Sequence, residues 1–313
     1  MISIILPTYN SIQFLKERVA TILNQTYTDW ECIVIDGQST DGTMEYLTEV
    51  AQTDKRFHLY QFPPQGVYDA WNKGIEVSKG SYVYFATSDD TMAINCLESL
   101  RNALKKNKNC SIAHCCLTII NEFGSVSDQL NWNTFPAQVY YEDKTNVEHI
   151  RQAPLDGILH CTHGTVYHSF TQLLIRKEVF DTFGLFLTNC GSIADFEWAM
   201  RVALCVNIVH VPKYLATWRF YEGQSTSLDY FNSWQHKLDI MLLIEKAIKN
   251  ASLYFNPTKP LNLYQLWMAK EMLTLKSKSN TPYNLKDYYL KLLLLFYKKP
   301  LKSRLRFHNF LLG

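Results

Sequence analysis

At 313 residues, 47% of them hydrophobic and 19% charged, the chain is long enough to bury one substantial core, or one core plus a smaller appended unit. A formal net charge of +2 excludes the electropositive footprint of a nucleic-acid-binding protein, although basic residues thicken toward the C-terminus. The eight cysteines show no Cys-x-x-Cys pair and no metal-ligand spacing, which excludes a disulfide scaffold or zinc module and points to reduced, buried thiols in a cytoplasmic protein.

Met1 leads straight into an apolar run without the basic segment or cleavage site of a secretory signal. Ile2 to Leu6 is a β-branched strand stopped by Pro7, and Gln13 to Leu23 places Phe14, Leu15, Val19, Ile22 and Leu23 at helical spacing. Strands at Glu31–Ile35, Phe57–Phe62, Ser81–Phe85 and Ser111–Cys115 then alternate with helices at Met44–Val50, Asp69–Val77 and Leu97–Leu104. This alternation predicts an α/β fold, a mostly parallel sheet flanked by helices. In such sheets ligands gather beyond the carboxyl ends of the strands, which places Pro7–Asn10, Asp36–Thr43 and Ser88–Asp90 on one rim.

From Leu117 to Ser169 the period becomes irregular, with scattered aromatics and His149, His160, His163 and His168, and the expectation is of extended loops and short strands walling the rim. Order returns with a strand at Thr171–Ile175, a helix at Lys177–Phe183 ended by Gly184, a helix at Asp195–Leu204, and a strand at Asn207–Val211 closed by Pro212. Beyond Leu228 the pattern is helical, with amphipathic candidates at Trp234–Ile248, Leu261–Leu275 and Leu285–Tyr297. The apolar run Leu292–Phe296 is far short of the roughly 20 residues that span a bilayer, so the chain reads as soluble or peripheral. The expected organisation is a domain over residues 1–227, divided at 116/117 into nucleotide-binding and acceptor halves, followed by a helical region over 228–313.

Within this frame the adjacent carboxylates of Ser88-Asp89-Asp90 carry the most chemistry. Buried without partners they would cost several kcal/mol, so they call for water or for a divalent cation shared with a phosphorylated ligand. Four segments in order, Ile4–Asn10, Val34–Thr43, Gly66–Ile75 and Ser88–Asp90, together resemble family 2 of the nucleotide-sugar glycosyltransferases, over roughly residues 1 to 220. The resemblance implies the GT-A fold, a Rossmann-like mostly parallel sheet, here with a helical C-terminal extension, and inversion of the anomeric centre. It further implies that Pro7, Thr8, Tyr9 and Asn10 meet the nucleotide, that Asp36 pairs with the uracil imide, and that Asp69 and Lys73 reach the base or the diphosphate. Ser88 and Asp89 would contact the nucleoside, Asp89 at the ribose, and Asp90 would coordinate Mg²⁺ or Mn²⁺. By position Asp195 is the general base, with Glu197 as the fallback, and Arg219 stabilises the leaving group or makes a surface ion pair.

For each, the residue pattern also allows a structural role. Asp36 suits a turn, Asp41 a helix cap, Tyr68 and Trp71 packing, Asp195 a helix N-cap, and Arg201 a pair with an acidic neighbour. The chain departs from many relatives where a His-Gln pair precedes the Arg176-Lys177 dipeptide: Phe170-Thr171 stands there, with His168 and Gln172 out of register. It also lacks the Gln-x-x-Arg-Trp motif of processive synthases. The expected function is transfer of a hexosyl or N-acetylhexosaminyl group from a UDP-sugar to a glycan or lipid-linked acceptor in capsule, lipopolysaccharide or related surface-polysaccharide biosynthesis. A basic, aromatic tail, Lys286 to Phe310, suits contact with anionic lipid or with a second copy of the chain. A nucleotidylyltransferase would need a Gly-rich, Arg-containing loop where Pro7–Asn10 stands. A non-catalytic sugar-nucleotide-binding scaffold of the same fold is the other alternative.

Overall fold

Strands buried on both faces need apolar side chains or fully bonded polar ones, and the first strand, Ile2 to Leu6, is apolar but for Ser3, whose buried hydroxyl donates to Glu31 Oε1 at 2.6 Å. In the computed structural model, which describes residues 1–221, 246–247 and 250–251, β1 (Ile2–Thr8), β2 (Trp30–Asp36), β3 (Phe57–Gln61) and β4 (Tyr82–Phe85) pair in parallel. Helices α1 (Ile12–Leu23), α2 (Thr43–Thr53) and α3 (Val67–Val77) connect them, and α4 (Cys96–Lys106) leads into β5 (Cys110–Ile120). Alternate side chains of β1 enter different cores. Ile2, Ile4 and Leu6 pack with Leu15, Val19, Leu47 and Leu100 on one face, whereas Ile5 packs with Trp71, Ile75, Val83 and Phe85 on the other.

The second half completes the same sheet. After α5 (Pro136–Tyr141), β6 (His149–Arg151) and α6 (Leu155–His163) come β7 (Leu173–Arg176), α7 (Glu178–Phe183), α8 (Ala194–Ala203) and β8 (Asn207–Arg219). The order of the eight strands is β3-β2-β1-β4-β7-β5-β8-β6. β7 is antiparallel to both β4 and β5, while β5 and β8 are parallel. Because β7 runs against β4, it begins where β4 ends, so Ser169 and Phe170 arrive on the same rim as Asp89 and Asp90. The carboxyl end of β8 returns Trp218 and Arg219 to that rim. The fold is GT-A, as expected.

Aromatic packing fixes the helices that border the rim. Trp71 of α3, Phe85 of β4, Phe170, Phe186 and Trp198 of α8 form one cluster, with ring centroids 4.7 Å apart for Trp71 and Phe85, 5.5 Å for Phe85 and Phe186, and 5.1 Å for Phe186 and Trp198. Each of these buried rings stabilises the fold by about 2–3 kcal/mol, so α3, β7 and α8 cannot shift independently.

Three expectations change. Pro212 does not close the last strand: the register jumps from Cys115↔Val211 to Cys116↔Tyr214, and the bulge sets Pro212 and Lys213 outside the pairing so that the missing N–H costs no ladder bond. β5 likewise continues past Cys115 to Ile120. The stretch from Leu117 to Ser169 contains two short helices rather than only loops and strands. α6 escapes sequence reading because Gly157 interrupts it, yet a Cβ at Gly157 would lie 2.6 Å from the backbone N of Leu204, so the close approach of α6 to the end of α8 requires glycine. The described residues 246–247 and 250–251 are helical. The remainder of the C-terminal helical expectation, and with it the basic tail, lies outside the described residues. No helix among the described residues is long and apolar enough to cross a membrane.

Candidate active site

The carboxyl ends of β2, β1 and β4 are adjacent, and the loops leaving them line a cleft of about 840 Å³, a size typical of small-molecule sites. On the first wall, Pro7 and Thr8 end β1 and Tyr9 follows it, 59% exposed above the opening. Asp36, at the end of β2, is fully buried, and its carboxylate takes four hydrogen bonds: from Thr8 Oγ1 (2.8 Å), Ser39 N (2.9 Å), Ser39 Oγ (2.6 Å) and Gln61 Nε2 (3.1 Å). All its acceptor positions are therefore engaged by protein, and Asp36 organises the loop wall as well as lining the cleft. Asn10 does not line it. Its side-chain carbonyl accepts from Thr40 N at 2.9 Å and its N–H donates to Ser39 Oγ at 2.9 Å, so the expected nucleotide contact is replaced by a tie between two loops. Asp41 accepts from Ile12 N and Thr43 N, both at 3.1 Å, in the capping role open to it.

Opposite, the loop Phe62–Gly66 and the first turns of α3 form the second wall. Lys73 Nζ and Asp69 form an i,i+4 ion pair, about a quarter exposed, with the ammonium 4.6 Å from the Phe62 ring centroid. Both line the cleft. Tyr68 is buried at the same wall, and its ring lies 5.4 Å from Trp71 and 6.0 Å from Phe186.

The floor is Thr87–Asp90. The expected metal ligand, Asp90, is 2% exposed. Its Oδ2 accepts from Thr87 Oγ1 (2.5 Å) and Ser169 Oγ (3.2 Å), and its Oδ1 from Arg219 N (2.7 Å). Burial first, then the neighbouring Asp89 charge, push the Asp90 carboxyl up to about 7, against the Thr87 and Arg219 hydrogen bonds and the Arg18 charge. Asp89 is the more open of the two and is approached by the Tyr221 hydroxyl. Among the described residues no group of three or more His, Cys, Asp or Glu gathers as a self-sufficient metal site. One or two carboxylates completed by phosphate oxygens is nevertheless the donor set that suits Mg²⁺ or Mn²⁺, and a crowded acidic pair on the cleft floor fits that use.

Arg219 is corrected by the structure. Its guanidinium is buried rather than in the cleft, 1% exposed, donating from Nε to Asp89 O (2.6 Å), from Nη1 to Asn121 O (3.2 Å) and Glu122 O (3.0 Å), and from Nη2 to Glu17 Oε2 (2.6 Å). It clamps the Asp89-Asp90 turn instead of meeting a leaving group.

On the remaining wall, His168, Ser169, Phe170, Thr188, Gly191, Trp218 and Tyr221 line the cleft with Asp195, which stands in the first turn of α8. Asp195 Oδ1 accepts from Phe196 N at 2.7 Å and its carboxylate accepts from the Tyr68 hydroxyl. Burial nevertheless wins over these hydrogen bonds and raises its pKa above the usual carboxylate range. Glu197 is fully buried and bonded at both oxygens to Arg201, 2.9 and 3.0 Å, so it is not free to act as a base. Sequence reasoning missed Ser169 as a partner of Asp90. The signal was present as a capping box: Ser169 caps the turn Phe170–Gln172 while Gln172 Oε1 accepts from Ser169 N. Gln172 thus holds the turn that the out-of-register His-Gln comparison left unassigned.

The chain is 39% identical over 108 residues to an uncharacterized glycosyltransferase of Haemophilus influenzae, spanning 34% of this chain and 43% of that protein. It is 29% identical over 144 residues to TuaG of Bacillus subtilis, named for teichuronic acid biosynthesis, spanning 46% and 56%. The matched stretches thus reach about half the length of these relatives. In fold it resembles S. aureus TarS 1-349 in complex with UDP-GlcNAc (TM-score 0.63, 16% identity, 94% of this chain and 79% of that one) and the mannosyltransferase PcManGT of Pyrobaculum calidifontis in complex with GDP-Man and Mn²⁺ (0.54, 18%, 97% and 81%). The profile of glycosyl transferase family 2 matches residues 3–182, more than half of the sequence, and the chain belongs to that family.

Proposed function

We propose that the protein transfers a sugar from a UDP-sugar to a hydroxyl of a glycan or lipid-linked acceptor during assembly of a bacterial surface polysaccharide, with inversion at the anomeric carbon. The observation that carries this reading is the placement of Asp195, a carboxylate made more basic by burial, in the same cleft as the Asp89-Asp90 floor. The acceptor hydroxyl gives its proton to Asp195, its oxygen bonds to the anomeric carbon from one side, and the bond to the diphosphate breaks on the other, its electron pair leaving with UDP. Asp90 would hold Mg²⁺ or Mn²⁺ at the cleft floor, with Asp89 beside it toward the ribose. The cation, when bound, supplies Lewis-acid neutralisation of the departing diphosphate.

Pro7, Thr8 and Tyr9 cradle the nucleoside, and Tyr9 offers an exposed ring to the base. Asp36 receives the imide N–H in exchange for the Gln61 amide, since Gln61 is exposed and free to swing into water. Ser88 meets the ribose, and Lys73 with Asp69 closes the cleft toward the diphosphate. A mannosyltransferase that shares the fold holds GDP-Man with Mn²⁺ and TarS holds UDP-GlcNAc, which supports a nucleoside diphosphate sugar as donor. The relative named for teichuronic acid biosynthesis supports a polysaccharide product.

The test is a thermal-shift and donor-hydrolysis screen with UDP-, GDP- and dTDP-sugars, with Mn²⁺ or with EDTA, on the parent, Asp90→Ala and Asp195→Asn. Cation-dependent stabilisation by one UDP-sugar, lost in Asp90→Ala, and slow hydrolysis lost in Asp195→Asn are expected. Absence of binding to every sugar nucleotide would leave a scaffold in place of an enzyme.

A further inference from the structure

Resting on the reading of Asp195 as base, we infer that Tyr68 is a positioning residue for it, spanning the cleft from the donor-side helix α3 to the start of α8. The phenol takes both parts of a hydrogen-bonded exchange with one residue: its oxygen accepts from Asp195 N–H, and its O–H donates to the Asp195 carboxylate. Two independent features favour this arrangement. The N-cap of α8 is Ile193, which has no side-chain oxygen to satisfy the free N–H groups of the first turn, so the Tyr68 oxygen supplies a cap from another element. The Tyr68 ring is held between Trp71 and Phe186, so the hydroxyl cannot swing away without breaking the aromatic cluster.

The consequence is geometric and electronic. Asp195 Oδ1 is committed to Phe196 N at 2.7 Å, and the tyrosine fixes the rotation of the carboxyl about its own axis, so one lone pair is aimed at the acceptor hydroxyl. The groups that act on Asp195 are Tyr68 from α3 and the backbone N–H groups of Asp195 and Phe196 from α8; burial opposes all three, and no charged side chain enters the balance. The hydrogen bond from Tyr68 holds the Asp195 carboxyl down while burial raises it, so the phenol sets part of the balance on the base. α3 also begins at the Phe62–Gly66 loop of the nucleotide wall, so anything that moves that loop moves the partner of the base.

The test is Tyr68→Phe, which keeps the ring and removes only the hydroxyl. Carboxyl titration of ¹³C-labelled aspartate by NMR, with the Asp195 signal assigned from Asp195→Asn, is expected to show Asp195 titrating at higher pH in Tyr68→Phe than in the parent. Hydrolysis of UDP-N-acetylglucosamine or UDP-glucose with Mn²⁺, whichever the parent accepts, is expected to lose about tenfold or more in kcat with KM within about twofold, and its acid limb to move to higher pH. An unchanged Asp195 titration in a Tyr68→Phe protein of parental thermal midpoint would overturn the inference. Full turnover by Asp195→Asn would instead sink the base assignment, whatever Tyr68 does to the titration.

Discussion

Arg219→Met separates a clamp from a cleft residue. Methionine preserves most of the apolar stem but removes every donor of the guanidinium. The bond to Glu17 contributes little, because that carboxylate is 53% exposed and rehydrates. The carbonyls of Asp89, Asn121 and Glu122 lose charge-assisted donors in a place with little water, at about 1 kcal/mol each, or about 3 kcal/mol together. For a domain of this size that corresponds to a fall in Tm of about 6–12 °C, measurable by calorimetry or dye-monitored melting without any ligand. Activity should fall with it, since the carbonyl of Asp89 is released and the floor of the cleft loosens. A variant that melts within about 2 °C of the parent but has lost most of its kcat would refute this account, because the guanidinium would then be acting on the leaving group.

Glu197→Gln is expected to cost about 3–5 kcal/mol of stability by leaving Arg201 buried and unpaired, while the folded fraction turns over within about twofold of the parent; Asp195→Asn, by contrast, should lose at least about 100-fold in kcat with little change in Tm. A stable but inactive Glu197→Gln would exchange the two roles. Burial depresses the His160 pKa to about 3 and the His210 pKa to about 2, so in the folded protein both stay neutral where an unfolded imidazole, near 6.5, takes a proton. The unfolded state then binds more protons as pH falls from about 6.5 toward 3, so these residues withdraw stability across that window. Denaturant midpoints at pH 7 and pH 4.5 should show the loss, and His160→Gln should lessen it; equal slopes in parent and variant would remove His160 from the explanation. Gly157→Ala places a Cβ 2.5 Å from Leu204 Cγ and 2.6 Å from its N, and should cost about 1–3 kcal/mol, read as a lowered Tm. An unchanged midpoint would mean that α6 and α8 are not in rigid contact.

Much of the nucleotide side was legible because its information is local. The strand-turn-helix spacing placed Thr8, Asp36 and Ser88–Asp90 on one rim, and parallel pairing of β1 with β2 and β4 follows from that alternation. Asp195 was legible by position in a helix start. Arg219 was not, since its function is defined by Glu17 at the far end of the chain and by carbonyls about a hundred residues away, and a carbonyl leaves no mark in a side-chain pattern. Nor was the bulge at Pro212, because only the partner strand shows that two residues can be set aside without ending the pairing. Tyr68 looked like packing because it is packing, and its second role depends on a carboxylate brought from α8. The hydrogen bond from Ser169 to Asp90 was likewise out of reach, because it is the direction of β7 that delivers Ser169 to the rim.

That one reversed strand also governs how such enzymes can be recombined. A chimera joined at 116/117 would cut inside β5 and take β7 from the other parent, asking foreign backbones to mesh with β4 and β5 along the seam of the site. Exchange of acceptor preference between relatives should therefore transplant the loops that β7 and β8 carry to the rim, on an unbroken eight-stranded frame.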